Sequence, residues 1–236
     1  MPQALVKQNG ERTIASTLTD AIRKDIISGE LAPNSKLKLR ELTERYGAGV
    51  IPLREALSRL ALSGFVIAVD QKGFRVTGIS EAELNDITKL RQQLESDALR
   101  DAIENGDLDW ESRVLAALHR VSKIPIADKD STQCLNPEWE TAHVAFHETL
   151  ISACSSKWLL RFTRVLRDQT ARYRAFSFHC RTPTKRSVAK EHEKIVQATL
   201  DRDADKACSL LQAHFRKTSE LALEQIKQLK LDSDAG

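Results

Sequence analysis

Apolar residues return every three or four positions along most of this chain, and the few places where that period lapses mark its elements. Ile14, Leu18, Ala21, Ile22, Ile26 and Ile27 form the first stripe, interrupted by one acid, Asp25, and ended by Ser28-Gly29. After a turn at Pro33-Asn34, Lys38 to Tyr46 reads as a short helix closed by Gly47. Leu53, Ala56, Leu57, Leu60 and Ala61 then predict a helix from Leu53 to Ser63. Pro52 can start it, because the first-turn N–H needs no internal partner, and Arg54, Ser58 and Arg59 fall on its other face. From Phe65 the period changes. Phe65 to Val69 is β-rich, Asp70 to Gly73 turns, and Phe74 to Thr77 returns as a second strand, with Lys72 and Arg75 near the tip. Three helices followed by a two-stranded wing predict a winged helix-turn-helix over residues 1–79.

From Ser80 the pattern is helical again. Ser80-Glu81-Ala82-Glu83 suits a capping box, and Leu84, Ile87, Leu90, Leu94 and Leu99 carry a stripe as far as Asn105-Gly106. Further helices are expected at Leu108 to Lys123, Glu138 to Ser152, Lys157 to about Phe178, Ser187 to Leu200, and Ala204 to about Lys230, with a polar break containing Pro183 at 179–186. Residues 80–236 therefore predict a separate all-α bundle of about six helices, and the chain as a whole is mainly α.

Composition narrows the function classes. With 41% hydrophobic and 29% charged residues among 236, the chain can bury a real core. The absence of a signal-like start and of a long uncharged apolar window predicts a protein of the cytoplasm, not of the membrane. Four cysteines, at 134, 154, 180 and 208, have no CxxC spacing and suit reduced thiols. The formal net charge of +3 is concentrated in the first third, where residues 1–80 hold 12 Lys/Arg against 8 Asp/Glu. A basic helix of a size that fits a major groove suits double-stranded DNA, while an αα-hairpin with a solvated basic face is the plainer alternative.

All six histidines lie in the helical part, at 119, 143, 147, 179, 192 and 214. His143 and His147, four apart, share one helix face and can clamp a divalent ion. His192 and His214 sit on the last two helices, from which a bundle can bring side chains inward. Four imidazoles would favour Zn²⁺, Ni²⁺ or another first-row ion, although hydrogen-bonded histidines are the commoner outcome. Glu140 lies three residues before His143, so it is available as a ligand, an orienting acceptor or a hydrolytic base. No HExxH, P-loop, dinucleotide fingerprint or nucleophile elbow is present, and Cys180 beside His179 is no dyad, so an enzyme reading starts from little. A DNA-binding protein whose helical part only dimerises is a further alternative.

The segments Asp25–Leu37, Leu39–Gly47, Pro52–Leu60 and Gln71–Val76, continued by Leu90–Glu95, Ala145–Leu150, Glu191-His192 and His214, resemble the GntR superfamily of bacterial transcription regulators. The likeness is to the branch whose helical ligand-binding domain is shared with the fatty-acid regulator, and it covers nearly the whole chain. It implies a homodimeric metabolite-responsive regulator, not an enzyme, that binds operator DNA. Arg40, Arg54 and Ser58 would meet DNA and the wing at Lys72-Gly73 would enter the minor groove. Val50 and Ile51 depart from the family's polar residues there, which leaves the operator sequence open. The resemblance also implies a metal held by an Asp and three His. Here His143 occupies the Asp position beside His147, His192 and His214, which leaves either a four-His site or one completed by Glu140 or water. A nearer likeness within the family, carried by Gly49–Ser58, His143–His147 and Ala171–Arg174, implies a repressor released by a small carboxylate such as glutarate. Arg91, Arg172 and Arg174 are candidates for its carboxylate.

Overall fold

The structure, a computed structural model, describes residues 13–126, 135–177 and 186–234, with the side chains of 175–177 and 229–234 left out of the description. Its contacts divide the chain into two compact units, Met1–Ile79 and Ser80–Gly236.

In the first unit, α1 (Ile14–Ile27) starts at Thr13, whose hydroxyl accepts the Ser16 N–H, and buries Leu18, Ile22 and Ile26. The acid that interrupts its stripe has a partner. Asp25 accepts the Tyr46 hydroxyl at 2.7 Å and pairs with Arg45 at 2.7 Å, tying α1 to α2 (Leu39–Tyr46). Gly47, in the left-handed region at φ 62°, ends α2 as expected. The next helix, α3 (Val50–Leu62), begins three residues before the predicted Leu53. Gly49 takes the cap position and Pro52 the third place, still among the N–H groups a helix leaves unbonded. Leu53, Ala56, Leu57 and Leu60 are fully buried against α1 and the wing.

The wing has one strand more than the hairpin predicted. β1 (Lys36–Leu37) pairs with β3 (Gly73–Val76), which pairs with β2 (Val66–Val69), all antiparallel in the order β1-β3-β2. Two residues carry no readable alternation, so β1 is assigned only by its partner: Lys36 stands opposite Arg75 and Leu37 opposite Phe74.

The second unit contains α4 (Glu81–Asn105), α5 (Leu108–Lys123), α6 (Pro137–Leu150), α7 (Lys157–Ser177), α8 (Val188–Leu200) and α9 (Ala204–Asp234). These match the predicted helices within a few residues, with α9 running beyond the expected Lys230. The polar break around Pro183 falls mostly outside the described residues. α4 packs on α7 and α9, α8 on α9, and α5 on α6 and α8. Half of the expected capping box forms. Ser80 accepts the Glu83 N–H, but the Glu83 carboxylate takes the Tyr173 hydroxyl and Arg172 instead, and Tyr173 itself receives the Ser80 N–H. Among the described residues no helix is long and apolar enough to cross a membrane.

Tyr46 and Tyr173 are the chain's two tyrosines, and burial, reinforced by an acid on each hydroxyl, pushes both phenols above their ordinary value of 10. Above pH 10 the unfolded chain therefore loses phenolic protons that the folded chain keeps, and stability falls with rising pH. A phenolate absorbance titration should stay flat through pH 10 in the folded protein and rise only on unfolding. A two-tyrosine titration centred near 10 would contradict the buried pairs.

Candidate functional site

Two surfaces carry the chemistry singled out above. In the first unit α3 turns Val50, Ile51, Arg54, Ser58 and Arg59 to solvent, with Ile51 82% exposed. Arg59 is held by Glu55 at 2.6 Å and by Ser16, whereas Arg54 makes no ion pair among the described residues. Arg40, its side chain 90% exposed, reaches Glu44 at 3.4 Å. Lys72 is exposed at the hairpin tip beside Gly73, which adopts φ 88°. Arg75 lies within β3, away from the tip, and donates to the Asn34 carbonyl at 2.6 Å.

In the second unit the sequence separates His143, His147, His192 and His214 by up to 71 positions, and the bundle brings them together. All four are buried, and one ring nitrogen from each lies within 4.8 Å of the others. The rings of His143 and His147, one α6 turn apart, approach through their Nε2 atoms at 3.2 Å. His192 comes from α8 and His214 from α9, their ring centres 4.9 Å apart. Trp139 stacks on His143, and Phe146 and Phe215 close the cluster on other sides. His119 is exposed on α5 and takes no part.

Burial dominates the electrostatics. It draws His143, His147 and His192 well below 6.5; Arg174 adds to it at His143, the repulsion between rings that would both be protonated adds at His147 and His192, and Glu191 opposes it at His192. His214 falls to about 4 through burial, although Glu191 opposes the shift. At neutral pH the four rings are uncharged and present lone pairs. Glu191 orients one of them: its carboxylate lies 2.9 Å from His214 Nδ1 and is itself held by Arg186 at 2.7 Å and Lys217 at 3.3 Å. The N–H then belongs on Nδ1, leaving Nε2 as the acceptor. Buried His143 Nδ1, His147 Nδ1 and His192 Nε2 find no hydrogen-bond partner among the described residues. The facing Nε2 atoms of His143 and His147 can satisfy each other only if one donates and the other accepts, and four neutral rings with a nitrogen each turned toward the others fit a cation that accepts lone pairs.

Glu140 does not join the group. It forms a two-pronged pair with Arg174, at 2.9 and 2.5 Å, and His143 is the fourth member of the cluster among the described residues. Arg91 is buried beside it, its guanidinium 4.0 Å from the Phe215 ring centre and 2.7 Å from Glu95, with Nη2 unpartnered among the described residues. Burial takes Arg91 down to about 10, so it stays charged at neutral pH. Burial alone would raise Glu95, but Arg91 and Arg167 hold it below the usual carboxylate value. Arg172, two residues from Arg174 on α7, is directed instead to Glu83 at 3.4 Å. Glu95, Arg167, Arg186 and the orienting role of Glu191 were not legible in sequence, because each is defined by a partner on another element; only the adjacency Glu191-His192 hinted at one of them. Cys154 and Cys208 are buried free thiols; Cys134, Cys180 and His179 lie outside the described residues.

Two family comparisons match these units in turn. Residues 14–76 match the bacterial regulatory proteins of the gntR family, and residues 86–217 match the FCD domain. The chain is 37% identical over 207 residues to the HTH-type transcriptional regulator BphR of Paraburkholderia xenovorans, spanning 88% of this chain and 84% of that protein. The chain belongs to the GntR family. The HTH-type transcriptional repressor GlaR of Escherichia coli is 38% identical over 198 residues, covering 82% of this chain and 89% of GlaR. The E. coli McbR/YncC structure shares the fold, with a TM-score of 0.76 at 16% identity over 91% of this chain and 99% of that one. These matches are to transcription regulators and not to enzymes, and this GntR-family chain is a DNA-binding regulator.

The tetrad can be tested directly. Chelator-treated protein titrated with Zn²⁺ should bind one ion per chain, and His147→Ala or His214→Ala should abolish that stoichiometric binding. Glu191→Gln, which leaves all four rings in place, should weaken it roughly 10- to 100-fold. Unchanged zinc content in the histidine variants, measured by elemental analysis, would remove those rings from the site.

Proposed function

We propose that this regulator is a repressor, acting as a homodimer on operator DNA, that a small carboxylate releases by entering the helical unit beside a metal-loaded tetrad. The observation that carries the reading is the buried cluster of four neutral imidazoles with Arg91 and Arg174 next to it. His143, His147, His192 and His214 would hold Zn²⁺ or Ni²⁺, an ion that imidazole nitrogens suit better than Mg²⁺ or Ca²⁺. When bound, the ion supplies a positive charge to which a carboxylate can bind. Arg91, with a buried unpartnered Nη2, offers charged donors to the same anion, and Arg174 offers its guanidinium by exchanging Glu140. Two such anchors favour a dicarboxylate, and glutarate is the diacid we assign. Arg172 has the separate task of holding Glu83 at the start of α4.

On the DNA side, Arg54 and Ser58 would enter the major groove from α3, with Arg40 on the phosphates and Lys72-Gly73 in the minor groove. Exposed Val50 and Ile51 offer only apolar contact, suited to thymine methyl groups. That GlaR is named a repressor supports the sign of regulation proposed here. A 100-fold loss of operator affinity requires about 2.7 kcal/mol of coupling, within reach of one carboxylate and its charged hydrogen bonds. The coupling has a physical route within the second unit. Neighbouring residues of α7 join the tetrad, through Arg174, to Ser80 and Glu83 at the unit's beginning, through Arg172 and Tyr173.

Arg54→Ala should weaken operator binding roughly 10- to 100-fold in a gel-shift series while leaving zinc binding intact. Equal affinity would displace α3 from the interface. Calorimetric titration of the zinc-loaded protein with glutarate should give saturable heat that Arg91→Ala removes, and the same ligand should release a labelled operator. Absence of heat from glutarate and from shorter diacids would defeat the carboxylate reading.

A further inference from the structure

The four imidazoles are closed off from water, so anything that binds beside them needs a way in. Trp139, Phe146 and Phe215, which pack on the rings, are themselves buried, and so are Arg91 and Arg174. Glu191 and Arg186 differ from these neighbours. They lie 2.9 and 3.2 Å from His214 Nδ1, yet both also line a groove of about 430 Å³ that opens to solvent between α8 and α9. Leu221 of α9 and Ser187, the N-cap of α8, complete the wall of the groove. At its inner end a single ion pair, Arg186 with Glu191, stands between solvent and the His214 ring.

The charges of the groove are sorted along its length. Its cations are Arg186, Lys190, Lys194 and Lys217, and its acids are Glu191, Glu220 and Glu224. Only Asp201 to Asp203 join α8 to α9, so the two packed helices run antiparallel, and the contacts of Glu191 with His214 and Lys217 fix their level. Lys190 and Lys194 flank Glu191 on α8, at the end next to the tetrad. Glu220 and Glu224 lie beyond Lys217 on α9, the second about 10 Å farther along the axis. Glu191 already accepts from Arg186, Lys217 and His214, whereas Lys190 and Lys194 make no ion pair among the described residues. Glu220 and Glu224 make none either, but they stand at the far end. The end beside the tetrad therefore has a surplus of positive charge and draws an anion.

We infer that a small carboxylate enters the helical unit through the α8–α9 groove, drawn by Lys190 and Lys194, and passes to the tetrad by parting Arg186 from Glu191. The inference rests on the functional reading that such an anion binds beside the tetrad. Parting the pair exchanges one carboxylate for another. Arg186 donates to both oxygens of Glu191, at 3.0 and 2.7 Å, and an incoming carboxylate offers the same two acceptors. The guanidinium thus turns from Glu191 to the ligand without losing its hydrogen bonds, while Lys217 stays on Glu191 at 3.3 Å.

Stopped-flow mixing of glutarate with the full-length protein at saturating zinc tests it, with Trp139 on His143 supplying the fluorescence signal. Lys190→Glu combined with Lys194→Glu should slow association roughly tenfold at low ionic strength, and added salt should shrink the deficit. Lys89→Glu, at an exposed position on α4, should keep the wild-type rate. Leu221→Phe, which narrows the groove, should lower association and dissociation by the same factor and leave Kd unchanged, as an obstacle on a path does. Arg186→Ala should raise both rates roughly threefold or more, since the bar at the inner end is gone. Helical circular dichroism and zinc content check that each variant is folded and loaded. Wild-type rates in both the lysine and the Leu221 variants would overturn the groove as the entrance, and a changed Kd in Leu221→Phe would make it a binding site instead. Unchanged or slower exchange in Arg186→Ala would overturn the part given to that pair. A wild type that binds neither glutarate nor shorter diacids would overturn the effector reading, and the entrance with it.

Discussion

The helical unit depends on the burial of four imidazoles in one place. Packing His143, His147, His192 and His214 inside a bundle removes them from water, and that burial, with the nearby Arg91 and Arg174 adding to it, disfavours their charge. Glu191 opposes the shift at His192 and His214, and it lies 2.9 Å from the outer nitrogen of His214. What remains is a set of neutral rings with buried nitrogens that their own protein does not satisfy. A cation that accepts lone pairs suits the nitrogens that the four rings turn toward one another. The same feature that makes the cluster expensive to build makes it fit for a cation.

α7 organises the charges around that centre. Arg167 reaches Glu95 and Glu148, Arg172 reaches Glu83, and Arg174 reaches Glu140, so buried cations on one helix are matched by acids on α4 and α6. Buried ion pairs contribute little net stability, but a slipped register would leave uncompensated charges in the core. They therefore favour one arrangement of the helices, and so one position for Arg174 relative to the tetrad.

The first unit shows how far local pattern reaches. The apolar stripes of α1 and α3 and the change of period at Phe65 were readable because each is stated within a dozen consecutive residues. Asp25 looked like a flaw in the α1 stripe until Tyr46 and Arg45, some twenty residues later, supplied its partners. β1 had no signal of its own, since two residues form a strand only by hydrogen bonding to β3. In the second unit the spacing of His143 and His147 put them on one face. It could not say whether Glu140, on the same helix and three residues earlier, would join them or turn to Arg174.

The amino-acid sequence by itself determined the helices, the wing, the basic character of the first third and the identity of the four histidines, because period, turn chemistry and charge are properties of neighbouring residues. Only the tertiary structure decided that the histidines meet, that Glu140 is spent on Arg174, and that Glu191 orients His214. Those facts concern side chains tens of residues apart, and their distances are set by how the helices pack.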